Sequence, residues 1–186
     1  MLLNQDVEQR IVESLKKYNT NFKTKQFTTK EMDTDILMDF FNISFETKAK
    51  NIQYWNRELG MIWELVTKYL FSLSPCFKTA DSVDFGLDKP VDYFIGSLAV
   101  DAKYRIGSGD SGTLKKFKQY GEMLKNKGYV PTFLILRDDN LPAAITAAKN
   151  GGWNTIIKQD AFNFIISQCN IDIVQYLAHI KVKYNF

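Results

Sequence analysis

The chain is poor in the residues from which many metal and nucleophile sites are made. Its 186 residues include one histidine, His179, and two cysteines, Cys76 and Cys169. A lone histidine on an apolar helical pattern near the C-terminus disfavours a Ser-His-Asp hydrolase or a histidine-dependent metal nuclease. Two cysteines far apart in sequence have neither zinc-ligand spacing nor the density of a disulfide framework, so a reduced, cytoplasmic protein is expected. No apolar run approaches the roughly 20 residues that span a bilayer. The opening MLLNQDVEQR puts acids and amides where a signal peptide needs a basic patch and an apolar run, so no membrane association is expected. The glycine-rich RIGSGDSG lacks the lysine and serine/threonine ending of a P-loop and reads as a flexible connection. Internal repeats, low-complexity tracts and Pro/Gly-rich linkers are also absent.

What is present is ample core material. Hydrophobic residues make up 45% and aromatics 14%, which excludes wholesale disorder. The net charge of +3 permits a nucleic-acid partner without requiring one. The length suits a single domain over 1–186. Its expected parts are a helical N-terminal extension (1–50), a core (51–170) and a C-terminal helix and tail (171–186).

The first half reads as helical. NQDVEQRIVESLKKY carries Val7, Ile11 and Leu15 at helical spacing, and a polar loop follows. DILMDFFNI reads as a short helix. NRELGMIWELVTKYLFSL reads as a longer one, ending near Pro75, with Leu59, Ile62, Val66, Leu70 and Leu73 as its main stripe. The second half turns to short β-rich runs: VDYFI and LAVDAKYR around Gly96-Ser97, a hairpin turn. Asp110 or Ser111 caps the next helix, with Leu114, Phe117, Gly121 and Leu124 on one face and Gly128 as terminator. VPTFLIL is a continuous apolar strand of the kind covered on both faces. LPAAITAAKNGG, WNTIIK and DAFNFIISQ continue as helix, strand and helix. A strand, crossover helix and strand run parallel and right-handed. The expected fold is α/β, with a mixed central β-sheet flanked by helices.

The hairpin carries charges that a buried strand should not. Asp101 and Lys103 share one face of their strand, and Val100 and Ala102 the other. With Gly96-Ser97 as a two-residue turn, Ile95 pairs with Leu98, Phe94 with Ala99, Tyr93 with Val100, and Asp92 with Asp101. The two carboxylates then face each other with Cβ atoms on the order of 5 Å apart, which is destabilising unless one is protonated or a cation sits between them. Two close carboxylates suit a hard divalent cation such as Mg²⁺. Lys103 is placed to reach an attacking water or a developing negative charge.

PVD, eight residues, then DAK resembles the core motif of PD-(D/E)xK nucleases, although Val91 separates Pro90 from the acid. The order of elements over roughly residues 56–165 is similar as well. The resemblance implies a restriction-endonuclease-like core in which Asp92 and Asp101 bind Mg²⁺, Lys103 assists phosphodiester hydrolysis, and the products carry 5′-phosphate and 3′-hydroxyl ends. It also implies a glutamate from the preceding helix. GMIWELVTKYL is similar to the family's pattern and favours Glu64, whereas periodicity puts Glu58 nearer the apolar stripe and leaves Glu64 beside Arg57 and Lys68.

Residues 103–128 hold seven basic side chains against two acids, among them Arg105, Lys115, Lys116 and Lys118. Such a patch suits phosphate contacts, and equally a solvated helix face. No zinc site, helix-turn-helix or other base-reading module is visible. Together with size and the set RELGMIWELV, VDYFIG and VDAKYR, this resembles the small cleavage subunit of a heterodimeric type IIS restriction endonuclease. That resemblance implies double-stranded DNA as substrate and a larger endonuclease subunit as partner. A self-sufficient homodimeric type II enzyme and a non-catalytic DNA-binding subunit on the same fold are the alternatives.

Overall fold

The computed structural model describes residues 33–79 and 89–185. The helix expected around residues 4–18 and most of the polar loop after it lie outside them. Two short helices, α1 (Ile36–Phe40) and α2 (Phe45–Ala49), lead into the long α3 (Ile52–Phe71). Three strands follow, β1 (Phe77–Thr79), β2 (Tyr93–Ile95) and β3 (Leu98–Lys103), then α4 (Ser111–Asn126) and β4 (Val130–Ile135). The chain continues through α5 (Pro142–Asn150), β5 (Asn154–Ile157), α6 (Gln159–Cys169) and α7 (Ile173–Tyr184).

The five strands form one mixed sheet in the order β1-β2-β3-β4-β5. β2 is antiparallel to its neighbours β1 and β3, while β3–β4 and β4–β5 are parallel. The α/β fold with a helix-flanked mixed sheet is therefore as the sequence reads. The one strand it did not announce is β1, whose three residues follow Pro75 and are too short to show a period.

The hairpin turn works as glycine chemistry requires. Gly96 has φ +57°, while Ser97 stays out of the left-handed region. That is the turn with positive φ only at its first central position, and its twist matches the flanking strands. It fixes Ile95↔Leu98, Phe94↔Ala99 and Tyr93↔Val100, the expected register.

Two apolar clusters cover the two faces of the sheet. On one, Tyr93, Ile95, Val100, Ala102 and Leu134 meet α1, α3, α6 and α7 through residues such as Leu37, Trp63, Ile165 and Ile173. On the other, Phe94, Ala99, Phe133 and Ile135 meet Leu124 of α4, Ala144 and Ala148 of α5, and Trp153. Leu37, Met38 and Leu177 belong to the first cluster, so α1 and α7 pack on the same side of the sheet as α3 and α6. α4 and α5 approach closely because Gly121 has no side chain: a Cβ there would lie 2.0 Å from the Gly151 carbonyl oxygen.

The buried face of α3 differs from the expected stripe. Leu59, Trp63, Thr67, Leu70 and Phe71 are buried, Ile62 and Val66 are partly so, and Leu73 is exposed. Periodicity placed the stripe to one side because it counted only aliphatic residues. Trp63 and Thr67 enter the core with their polar atoms satisfied: Trp63 Nε1 donates to the Leu134 carbonyl at 3.0 Å, and Tyr93 OH donates to Thr67 Oγ1 at 2.9 Å. These bonds, to β4 and β2, set the rotation of α3 over the sheet, and so the direction in which Glu64 projects.

Candidate active site

β3 delivers the centre of the site. Ala99 packs in the cluster on the α4–α5 side, and alternation brings Asp101 and Lys103 to that same side. Lys103 Nζ lies 2.6 Å from Asp101 Oδ1. Asp101 is only 8% exposed, which makes its charge costly. Burial above all, opposed by Lys103 and reinforced by Asp92, pushes its carboxyl up to about 7. Lys103 moves the other way from what burial alone would dictate: Asp101, Asp92 and Glu64 together hold its ammonium above the usual lysine range.

Asp92 is not paired with Asp101 in the ladder, contrary to the sequence expectation. The pairing stops at Tyr93↔Val100. The N–H of Asp92 donates to the Val100 carbonyl at 2.8 Å, so two residues of one strand face one of the other, a bulge. The Asp92 carboxylate then does what the ladder no longer does: Oδ2 accepts the Ala102 N–H at 2.7 Å. Even so, Asp92 remains next to Asp101 and raises it both by charge and by a hydrogen bond.

The helix glutamate that meets this group is Glu64. Its carboxyl is raised by partial burial and by the Asp92 charge, against the pull of Lys103 and Lys68. Glu58 is engaged by its neighbour, with Arg57 Nη2 2.8 Å and Nε 3.0 Å from Oε1. The rotation of α3 set by Trp63 and Thr67 makes the difference, and aliphatic periodicity could not register it.

A cleft of about 400 Å³ opens beside Asp101 and Lys103, with Lys89, Arg105, Lys116 and Tyr120 among its walls. Four cations thus face one carboxylate in its lining. Arg105 lies beyond β3, which ends at Lys103. It reaches the cleft from the following segment, with Nη2 donating to the Asp139 carbonyl at 2.7 Å and Nε 3.3 Å from the Asp139 carboxylate. Of the expected basic helix residues, only Lys116 lines the cleft. Lys115 is exposed outside it, and Lys118 lies 3.9 Å from Glu122 on the outer surface. Lys89 was missed, although it stands directly before the PVD motif. Asp110 caps α4, accepting from the Thr113 N–H at 2.9 Å and from the hydroxyls of Ser108 and Thr113; these bonds hold its carboxyl well below the usual range.

A second charged group, also unannounced by the sequence, lies behind the site. Arg137 is buried, with Nη1 2.8 Å from Asp35 and Nε 2.8 Å from Asp139. Tyr104 donates to Asp35 and accepts from Lys48, another buried cation. Asn140 Oδ1 accepts the Ile106 N–H at 2.6 Å. These bonds tie the segment after β4 to the segment after β3, and so hold Arg105 against the cleft.

Among the described residues no helix is long and apolar enough to cross a membrane. No protein-family model, curated protein or solved structure matches the chain.

Proposed function

We propose that the protein is a Mg²⁺-dependent DNA endonuclease of the restriction-enzyme kind, acting in the cytoplasm. The observation that carries this reading is the meeting of an acid–lysine cluster (Asp92, Asp101, Lys103 and Glu64) with a cleft whose other charges are basic. The donor chemistry fits Mg²⁺: hard carboxylate oxygens, mutually repelling, which a divalent cation would relieve. Asp92 and Asp101 would hold the ion, with Glu64 beside them. Among the described residues no three acid, histidine or cysteine side chains form a ready-made metal group. An ion there would be held through one or two carboxylates and its own waters, not by an all-protein cage.

Bound there, Mg²⁺ would polarise the scissile phosphate and acidify the attacking water. Lys103 keeps its proton at neutral pH and brings fixed positive charge to the phosphate as negative charge develops on it. The Ala102 amide orients Asp92. Arg105 and Lys116 would neutralise neighbouring phosphates of double-stranded DNA.

The sequence set RELGMIWELV, VDYFIG and VDAKYR resembles a cleavage subunit that cuts one strand while a larger endonuclease subunit reads the site. The test is cleavage of plasmid DNA with Mg²⁺ by the protein alone and with a large endonuclease subunit encoded nearby. Cutting only with the partner supports the subunit reading, and cutting alone supports a self-sufficient homodimer. No cutting by folded protein in either case sinks the enzyme. A non-catalytic DNA-binding subunit has one observation in its favour, the lack of a ready-made three-ligand metal group among the described residues.

A further inference from the structure

The cleft is lined by residues of two kinds. Asp101, Lys103, Arg105 and Lys116 are charged, while Phe117 and Tyr120 contribute aromatic rings. Beneath those rings Phe133 and Trp153 are stacked, with centroids 4.0 Å apart and planes 12° from parallel. Both are buried, Phe117 packs edge-on against Phe133 at 5.1 Å, and Trp153 Nε1 donates to the Phe117 carbonyl at 2.7 Å. The floor is therefore a fixed aromatic layer. Phe117 and Tyr120 are only half-buried and form its accessible surface. The Lys116 ammonium lies 6.0 Å from the Tyr120 ring centroid, so a basic group stands over this aromatic surface.

Size and burial act together. Asp101 is 8% exposed, so a phosphate must enter the cleft to reach it. At about 400 Å³ the cleft lies near the small end of the range for small-molecule sites, about 300–1,000 Å³. That is room for one nucleotide.

We propose that the cleft holds one unpaired nucleotide of the strand being cut, with its phosphate beside Asp101 and Lys103 and its base against Tyr120 and Phe117. The inference rests on the nuclease reading and adds to it a nucleotide turned out of the double-stranded DNA at the cut, most readily where the duplex is frayed or mismatched and the unstacking cost is already met.

The test titrates full-length Asp101→Asn protein with thymidine 5′-monophosphate and with deoxyribose 5-phosphate, by saturation-transfer NMR. The nucleotide is expected to bind about tenfold to a hundredfold tighter than the baseless sugar phosphate, the range set by stacking one base. Tyr120→Ala, added to this protein, should erase the difference, and Tyr120→Trp should keep it. Circular dichroism on both double variants separates lost stacking from lost fold. Equal affinity for the two ligands, or a preference untouched by Tyr120→Ala in a folded protein, overturns the proposal. A parallel assay of wild-type cleavage of matched and singly mismatched duplexes with Mg²⁺ separates the two readings. Cleavage without any base preference in the titration overturns the nucleotide pocket and leaves the nuclease. Base preference in a protein that never cuts DNA supports the pocket and overturns the nuclease.

Discussion

Asp92 holds the backbone amide of Ala102 at 2.7 Å instead of facing Asp101 across the ladder. That bond makes Asp92 the last rung of the hairpin, so one carboxylate serves both the fold and the charge cluster. It also keeps a second negative charge against Asp101, whose ionisation is thereby opposed from two sides, by burial and by a like charge.

Activity and stability should part at Asp101. Asp101→Asn keeps the shape and removes the buried charge. Cleavage is expected to fall by at least about a hundredfold, the usual effect of deleting one charge-stabilising group from a site. Thermal melting at pH 8 in EDTA should instead rise by several degrees, since the variant carries no desolvated carboxylate. Retained cleavage refutes the proposed site.

The same group predicts a pH slope. Its folded value is about 7, against the ordinary aspartate value of about 3.9. Between those limits the native state binds more protons than the unfolded chain. Stability from this group is therefore complete below about pH 4 and is lost as pH rises through 7, by on the order of 2–4 kcal/mol. Urea unfolding at pH 5 and pH 8 without divalent metal should show a fall in the wild type. Asp101→Asn should lack that part of it; an identical fall in both would contradict the assigned titration.

The two helix glutamates make opposite predictions. Glu64→Gln should reduce cleavage about tenfold to a hundredfold and raise the Mg²⁺ concentration needed for half-maximal rate, as loss of a supporting metal-site group does. Glu58, held by Arg57, should tolerate Gln with less than about a twofold change. The reverse ranking in a Mg²⁺ titration would reassign the site's glutamate.

The lysines of α4 should separate in the same manner. Lys116 lines the cleft and Lys118 does not. Lys116→Ala should lower the slope of log binding against log salt by about 0.9, one phosphate contact, with little change for Lys118→Ala. Equal slopes would move the DNA path off the cleft.

These contrasts mark what the sequence could and could not disclose. Strand alternation and the Gly96-Ser97 turn carry local signals, so the hairpin pairs read correctly down to Tyr93↔Val100. The next pair fails because the bulge depends on where a side chain, that of Asp92, finds a donor. The rotation of α3 depends on Leu134 accepting from Trp63, a bond spanning 71 residues, which no aliphatic pattern encodes. Arg137 and Asp35 are 102 residues apart, and nothing local marks either as a partner.

Lys48 supplies the last prediction, at a distance from the chemistry. Burial first, and then the Arg137 charge, lower its amine to about 8 despite the attraction of Asp35. Unfolded lysine titrates near 10.4, so between about pH 8 and pH 10.4 the unfolded chain binds more protons than the native protein, and stability from this group rises with pH. Below pH 8 both states are charged and the full cost of the buried ammonium stands, a few kcal/mol at most. Lys48→Met fills a similar volume against Met38 and the Tyr104 ring, while Tyr104 keeps its bond to Asp35. The variant should therefore be as stable as wild type or more so at pH 7, and should lose the rise between pH 8 and pH 10. Denaturant titrations at the two pH values decide it. If Lys48→Met instead destabilises the protein at pH 7, the ammonium contributes more through Tyr104 than its burial costs, and the charge cluster behind the site is a net source of stability.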